Sequence, residues 1–245
     1  MTIADNVAAV RERIAAAARR AGRDPDDVAL MAVTKTFGPD AIRTAYDAGQ
    51  RLFGENRVQE FFDKASALRD LSDAEFHMIG HLQTNKATKA LEIFSAVDSV
   101  DSLRLAEKLN VAAGAVGKRV PVLIELNLGG EGSKSGINPV SQEFGSVLDA
   151  AARLEQLDFR GLMTIPPFTE DPQGSRHYFR RLRELRDHIA RRNLAALRLD
   201  TLSMGMSHDF EVAIEEGSTC VRLGSAIFGA RPFRTELPRT QRTRR

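Results

Sequence analysis

The strongest constraint on this chain is a rhythm of eight short strand-like runs alternating with helix-like segments. The runs fall at residues 28–34, 51–54, 75–79, 94–98, 120–126, 158–164, 199–203 and 219–223. Apolar runs such as Val28-Ala-Leu-Met-Ala-Val are what a parallel sheet covered on both faces requires. The segments between them carry helix punctuation. Pro39 opens a helix to Ala48 and Gly49 closes it. A second runs from Asp101 toward Gly114, with Leu105 and Leu109 one turn apart. Pro139 repeats the proline start for a helix to Leu154. From Arg176 to Arg192, Phe179, Leu182, Leu185 and Ile189 form one stripe with arginines around it, which reads as a solvated outer helix. Eight βα units after a leading amphipathic helix predict an α/β protein. The expected fold is a single (β/α)8 TIM-type barrel with an extra N-terminal helix, and a doubly wound open sheet is its rival.

Charge sets the expected domain limits. The whole chain carries +2, but residues 231–245 hold six arginines and one glutamate, so their +5 leaves −3 on residues 1–230. We expect residues 1–230 to form the barrel and 231–245 a basic, disordered tail without apolar period. The folded body offers no basic face with aromatics, which argues against nucleic acid as a partner. No apolar stretch approaches the roughly 20 residues of a membrane span, and the N-terminus has no secretory apolar region. The single cysteine, Cys220, lies in an apolar run, reads as core, and suits a reducing cytoplasm. No heptad or large apolar helix face is visible, so a monomer is expected.

In such a barrel, chemistry collects just after each strand. The residues there are Lys35, Asn56, His81, Asp98, Asn127, Thr164, Ser203 to Ser207, and Gly224-Ser225. Lys35 is the most telling. It ends the first apolar run, where a charged amine is costly to bury, and an amine neutralised by desolvation attacks aldehydes. The segment Ser203-Met-Gly-Met-Ser-His-Asp supplies two hydroxyls around a glycine before a helix. Alone, Ser207 reads as a plain N-cap with Asp209 and Glu211 in the first turn. Together with the small-residue turn Gly224-Ser225 after the eighth run, it reads as a phosphate cradle. Arg222 shares strand parity with Cys220. If it faces the barrel interior it needs a buried acceptor, through either a structural ion pair or a ligand. Two patterns carry no chemistry. Gly129 to Ser135 lacks the glycines of a P-loop, and His77 with His81 bracket a strand, where four-residue spacing does not converge on a metal.

Several blocks in order make the chain resemble the pyridoxal phosphate homeostasis proteins, from about residue 3 to Arg231. They are Ala32-Val-Thr-Lys-Thr, Phe53-Gly-Glu-Asn-Arg-Val-Gln-Glu, Phe76-His-Met-Ile-Gly-His-Leu-Gln-Thr-Asn-Lys and Ser133-Lys-Ser-Gly-Ile. Three more follow: Gly161-Leu-Met-Thr-Ile-Pro, Leu202-Ser-Met-Gly-Met-Ser-His-Asp and Val221-Arg-Leu-Gly-Ser-Ala-Ile-Phe-Gly. The resemblance implies a barrel like that of bacterial alanine racemase, binding pyridoxal 5′-phosphate without established turnover. It implies that Lys35 forms a Schiff base with the cofactor, that Asn56 lines the pocket, and that Met163 lies against the ring. Ser203, Ser207, Gly224 and Ser225 would hold the phosphate, and Arg222 would face the pyridine nitrogen. Met204 and Ser225 depart mildly from the family's usual Leu and Thr. The implied role is cofactor buffering and supply, with pyridoxal-phosphate-dependent apo-enzymes as recipients. The racemases of this fold take a second acid/base from an additional domain, and this chain's only tyrosines, Tyr46 and Tyr178, fall on predicted outer helices. The alternative is a weak racemase-like enzyme using His81. Lys134 could make a secondary contact, although a solvated lysine is the simpler reading.

Overall fold

The structure is a computed structural model and describes residues 1–132 and 135–229. The tail at 231–245 and Lys134 lie outside the described residues. Eight strands form the sheet: β1 (Ala29–Val33), β2 (Leu52–Glu55), β3 (Glu75–Met78), β4 (Ala96–Val100), β5 (Val120–Leu126), β6 (Leu157–Thr164), β7 (Leu197–Met206) and β8 (Cys220–Leu223). The helices in chain order are α1 (Ile3–Arg20), α2 (Pro39–Asp47), α3 (Val58–Ala65), α4 (Ala87–Ile93), α5 (Leu103–Ala115), α6 (Gln142–Ala150), α7 (Arg176–Ala190), α8 (Phe210–Glu215) and α9 (Ser225–Phe228). Each strand pairs in parallel with the next. β8 then returns to β1 with Ala29 beside Cys220 and Met31 beside Arg222. The sheet is therefore a closed barrel and the open-sheet rival is excluded. Closure also removes the unpaired edges an open sheet would expose.

Strand parity sorts the side chains into two cores. Ala32, Phe53, Val122, Leu162, Leu202 and Val221 face the helices and join the large outer core, whereas Met31, Val33, Ile79 and Cys220 pack around the barrel axis. The extra helix α1 starts with a capping box between Thr2 and Asp5 and buries Val7, Val10 and Ile14. It lies against α8, α9 and α2, so it completes the outer layer where β8 returns to β1.

Three boundaries differ from expectation, each for a local reason. Helix α6 begins at Gln142 instead of Pro139. Asn138 organises a turn, accepting from Val140 N–H at 3.1 Å, and the Ser141 hydroxyl then caps Phe144 N–H at 3.4 Å. The capping serine overrides the proline signal. β4 starts two residues later than expected and runs to Val100, so Asp98 lies within the strand and not past its end. β7 continues to Met206 instead of ending at Ser203, which draws Met204, Gly205 and Met206 out of the expected loop and into the sheet.

The N-terminal half of the barrel encloses a cavity of about 480 Å³, lined by Met31, Leu52, Glu75, His77, Asp98 and Cys220 among others. Burial pushes the Cys220 thiol up to about 12, which leaves it an inert core group. His77 Nδ1 stands 3.1 Å from Asp98 Oδ1, and Nε2 stands 3.7 Å from Glu75. Burial opposes the imidazolium, but the charge and hydrogen bond of Asp98, then Glu75, outweigh it and raise His77 to about 9. With a folded value above the ordinary 6.5, the contribution is complete below 6.5 and is lost as pH rises through about 9. The unfolding midpoint should fall across that window, and His77→Gln should flatten the fall. An identical slope in the variant would show that the loss originates elsewhere.

Candidate functional site

The C-terminal rim is assembled from three turns. The first carries Lys35 between β1 and α2. Lys35 continues the inward parity of Met31 and Val33 and is half-buried. The next residue, Thr36, adopts φ +72°, an uncommon conformation for a β-branched residue that costs on the order of 1–3 kcal/mol. The turn is held by α3. Thr36 N–H donates to Glu60 Oε1 at 2.5 Å. Lys64 Nζ donates to the carbonyls of Thr34 and Phe37 at 3.1 and 3.0 Å, which brackets Lys35 on both sides. The same ammonium lies 2.6 Å from Glu55 Oε1, and that oxygen also accepts from the Thr34 hydroxyl at 2.6 Å. Glu55 is fully buried and the Lys64 side chain only 8% exposed. Burial raises the Glu55 carboxyl above its ordinary value, with Lys64 and then Thr34 restraining the shift.

Sequence reasoning did not find this pair. A lysine in a helix usually reads as surface. The available signal was spacing, because Lys64 occupies the stripe of Phe61 and Leu68, three residues after one and four before the other.

The second turn follows β7 and the third follows β8. The Ser207 hydroxyl accepts from the backbone N–H groups of Gly224 and Ala226, both at 3.3 Å, and so ties the two turns together. It does not cap α8. The N-cap there is Asp209, whose carboxylate accepts from Met206 N–H at 2.7 Å. Gly205 has φ +94°, and a Cβ there would stand 2.6 Å from that of Ala213, so the approach to this turn admits only glycine. Ser225 is exposed at the start of α9. The Gly224 turn lies over the end of β1, where a Cβ on it would reach within 3.5 Å of the Val33 carbonyl. Lys35, Ser207, Gly224 and Ser225 thus share one rim.

Below the rim, Arg222 is 3% exposed on β8. Its Nη1 donates to Ser203 Oγ at 2.7 Å and its Nη2 to the Thr164 carbonyl at 2.8 Å. Burial lowers its pKa, opposed by the nearby Cys220, Asp98 and Glu125, yet arginine remains a cation. Ser203 therefore sits a layer deeper than Ser207, and its hydroxyl is engaged with Arg222. Met163 is fully buried on β6. Asn56 follows β2, and Gly80 packs directly on its backbone, since a Cβ there would stand 2.4 Å from the Asn56 carbonyl oxygen. His81 lies outside this group, exposed, with Nδ1 2.7 Å from Asp101.

The profile of the family described as alanine racemase, N-terminal domain, matches residues 6–232. The alanine racemase of Streptomyces coelicolor shares this fold with a TM-score of 0.65 at 24% identity, covering 92% of this chain and 59% of its own. Closer similarity is found with a pyridoxal phosphate homeostasis protein of Aquifex aeolicus, 44% identical over 233 residues that span 95% of this chain and all of the relative. PipY of Synechococcus elongatus, solved with PLP bound, is 38% identical with a TM-score of 0.82, covering 93% of this chain and all of its own. The fold is that of an alanine-racemase-type barrel. Within that class, the chain belongs to the pyridoxal phosphate homeostasis protein family.

Removing one partner of a buried ion pair leaves the other charge uncompensated, at a cost of about 3–5 kcal/mol. Lys64→Met should lower stability by that amount in a denaturant titration. A loss below about 1 kcal/mol, the value of an exposed pair, would show that Lys64 does not anchor the Lys35 turn.

Proposed function

We propose that this protein binds pyridoxal 5′-phosphate at the C-terminal rim, covalently through Lys35, and serves to buffer and supply that cofactor inside the cytoplasm. One observation carries this reading. A half-buried lysine, a buried guanidinium and two linked small-residue turns meet at one rim in a chain 38% identical to PipY with PLP bound.

The chemistry of the donors fits the group. The Gly224 and Ala226 N–H groups now share the neutral Ser207 oxygen through long 3.3 Å bonds. A phosphate oxygen would accept from the same donors more strongly, because charge-assisted bonds are shorter. Gly224, Ser207 and Ser225 would hold this end, with Asn56 and Met163 lining the rest. Ser203 supports the site indirectly, since its hydroxyl and the Thr164 carbonyl fix the plane of Arg222. When bound, the cofactor supplies a reactive aldehyde carbon, and a protein amine that takes it up keeps it from other amines.

Storage is favoured over turnover by the company these residues keep. Arginine has no acceptor capacity and keeps its protons, so a ring nitrogen facing Arg222 gains a hydrogen bond but no proton, which weakens the ring as an electron sink. Racemisation also needs a second acid/base on the far face of the substrate. Tyr46 is bonded to Asp73 on the outer layer, and His81 is bonded to Asp101. Cofactor-free forms of enzymes that use pyridoxal phosphate are the recipients this role requires.

Purified protein incubated with pyridoxal 5′-phosphate should develop a visible absorption band that borohydride removes, fixing mass on Lys35. Lys35→Ala should show no band. Ser207→Ala should weaken binding about 10-fold, as expected for losing a bond to a charged group. A wild-type protein that stays colourless would refute the proposal.

A further inference from the structure

Glu125 is a rim-side carboxyl for which the reading above has no use. It stands on β5, where Val122, Ile124 and Leu126 face the helices and Leu123 lines the lower cavity. That parity turns Glu125 inward, one layer above Leu123. Its register partner is Met163 on β6, and the following residue on β6, Thr164, supplies the carbonyl that holds Arg222. Glu125 is 4% exposed, and its Oε2 is buried without a hydrogen-bond partner. A buried oxygen left so costs the fold about 1–3 kcal/mol. The contrast with Glu55 is instructive, because that carboxylate has Lys64 and Thr34 on its other oxygen. Among the described residues, no side chain makes an ion pair or hydrogen bond to the Glu125 carboxyl.

The charges that reach Glu125 come from three elements: Asp101 after β4, Arg222 on β8 and His81 after β3. Burial and then Asp101 raise its pKa to about 7, against the pull of Arg222 and His81. A large share of the molecules therefore carries Glu125 as a neutral acid near neutral pH, able both to donate and to accept.

Resting on the proposed cofactor site, we propose that Glu125 is a further ligand-contacting residue, whose uncharged carboxyl is kept open for the ring hydroxyl of pyridoxal phosphate. The chemistry of the ligand narrows the choice. On that reading Lys35 would take the aldehyde carbon, the turns after β7 and β8 would hold the phosphate, and Arg222 would face the ring nitrogen. The hydroxyl remains. It flanks the aldehyde carbon on the side opposite the phosphate arm. With that arm held beside β7 and β8, the hydroxyl would lie on the side of the barrel away from those turns, and Glu125 on β5 is the inward carboxyl that would meet it.

This role separates stability from affinity. A residue retained for a ligand costs the empty fold something, and an apolar replacement of similar size should relieve that cost. Glu125→Met should raise the unfolding midpoint of the cofactor-free protein and weaken pyridoxal 5′-phosphate binding about 10-fold. Its affinity for 3-deoxypyridoxal 5′-phosphate, which lacks the hydroxyl, should match that of the wild type. Glu125→Gln, which preserves a neutral donor and acceptor, should keep affinity within about 3-fold. A lower midpoint in Glu125→Met, or an equal preference for the two ligands in variant and wild type, would overturn the assignment. Should that variant not fold, a wild type that binds both ligands alike overturns it by itself. Failure of the wild type to bind pyridoxal 5′-phosphate at all would instead strike the reading on which this one rests.

Discussion

The pairing of β8 with β1 is the contact on which the rest of the molecule depends. It sets Met31 beside Arg222 and brings the Gly224 turn over the end of β1. Lys35 and Arg222 are separated by most of the chain, and only this closure sets the rim lysine on the strand that pairs with the one carrying the buried guanidinium. The ladder of backbone hydrogen bonds also fixes register, since a slip of one residue would turn Lys35 and Arg222 toward the helices. Closure of the barrel and assembly of the site are therefore one physical event.

The rim and the opposite end use charge differently. On the N-terminal side, His77 is enclosed by Asp98 and Glu75, a self-contained group that reads as stability. Behind the rim, the Glu55 and Lys64 pair is spent on holding one turn. Arg222 is held by a hydroxyl and a carbonyl, which satisfy two donors without quenching its charge. That arrangement keeps a cation available in a dry interior, where its field acts most strongly on a ligand. Glu125 Oε2, like Glu55 Oε2, is buried without a hydrogen-bond partner among the described residues, but the Glu55 carboxylate has Lys64 and Thr34 on its other oxygen.

Much of the fold was legible in the chain. Apolar runs at near-regular spacing identified all eight strands, and proline, glycine and capping residues identified most helices, because both signals are local. Misplaced boundaries came where two local signals competed, as when Ser141 won over Pro139. The site was legible in part. Lys35, Arg222 and the turns after β7 and β8 stood out because lysine and arginine are conspicuous among apolar residues and hydroxyls among glycines. The expected strand ends at Ser203, since nothing local shows that it continues through Met204, Gly205 and Met206. Lys64 and Glu55 were missed because their meaning lies in each other, across nine residues and two elements.

The chain by itself determined its class of fold, its alternation of buried faces and the chemical types gathered after the strands, since these follow from periodicity and residue character. Tertiary structure alone decided which of those groups meet. It gave Ser203 to Arg222, Ser207 to Gly224 and Ala226, and Lys64 to Glu55, and it left Glu125 unpaired. The physical reason is that hydrogen bonds and ion pairs act over about 3–4 Å, and such distances between remote residues exist only once the sheet has closed.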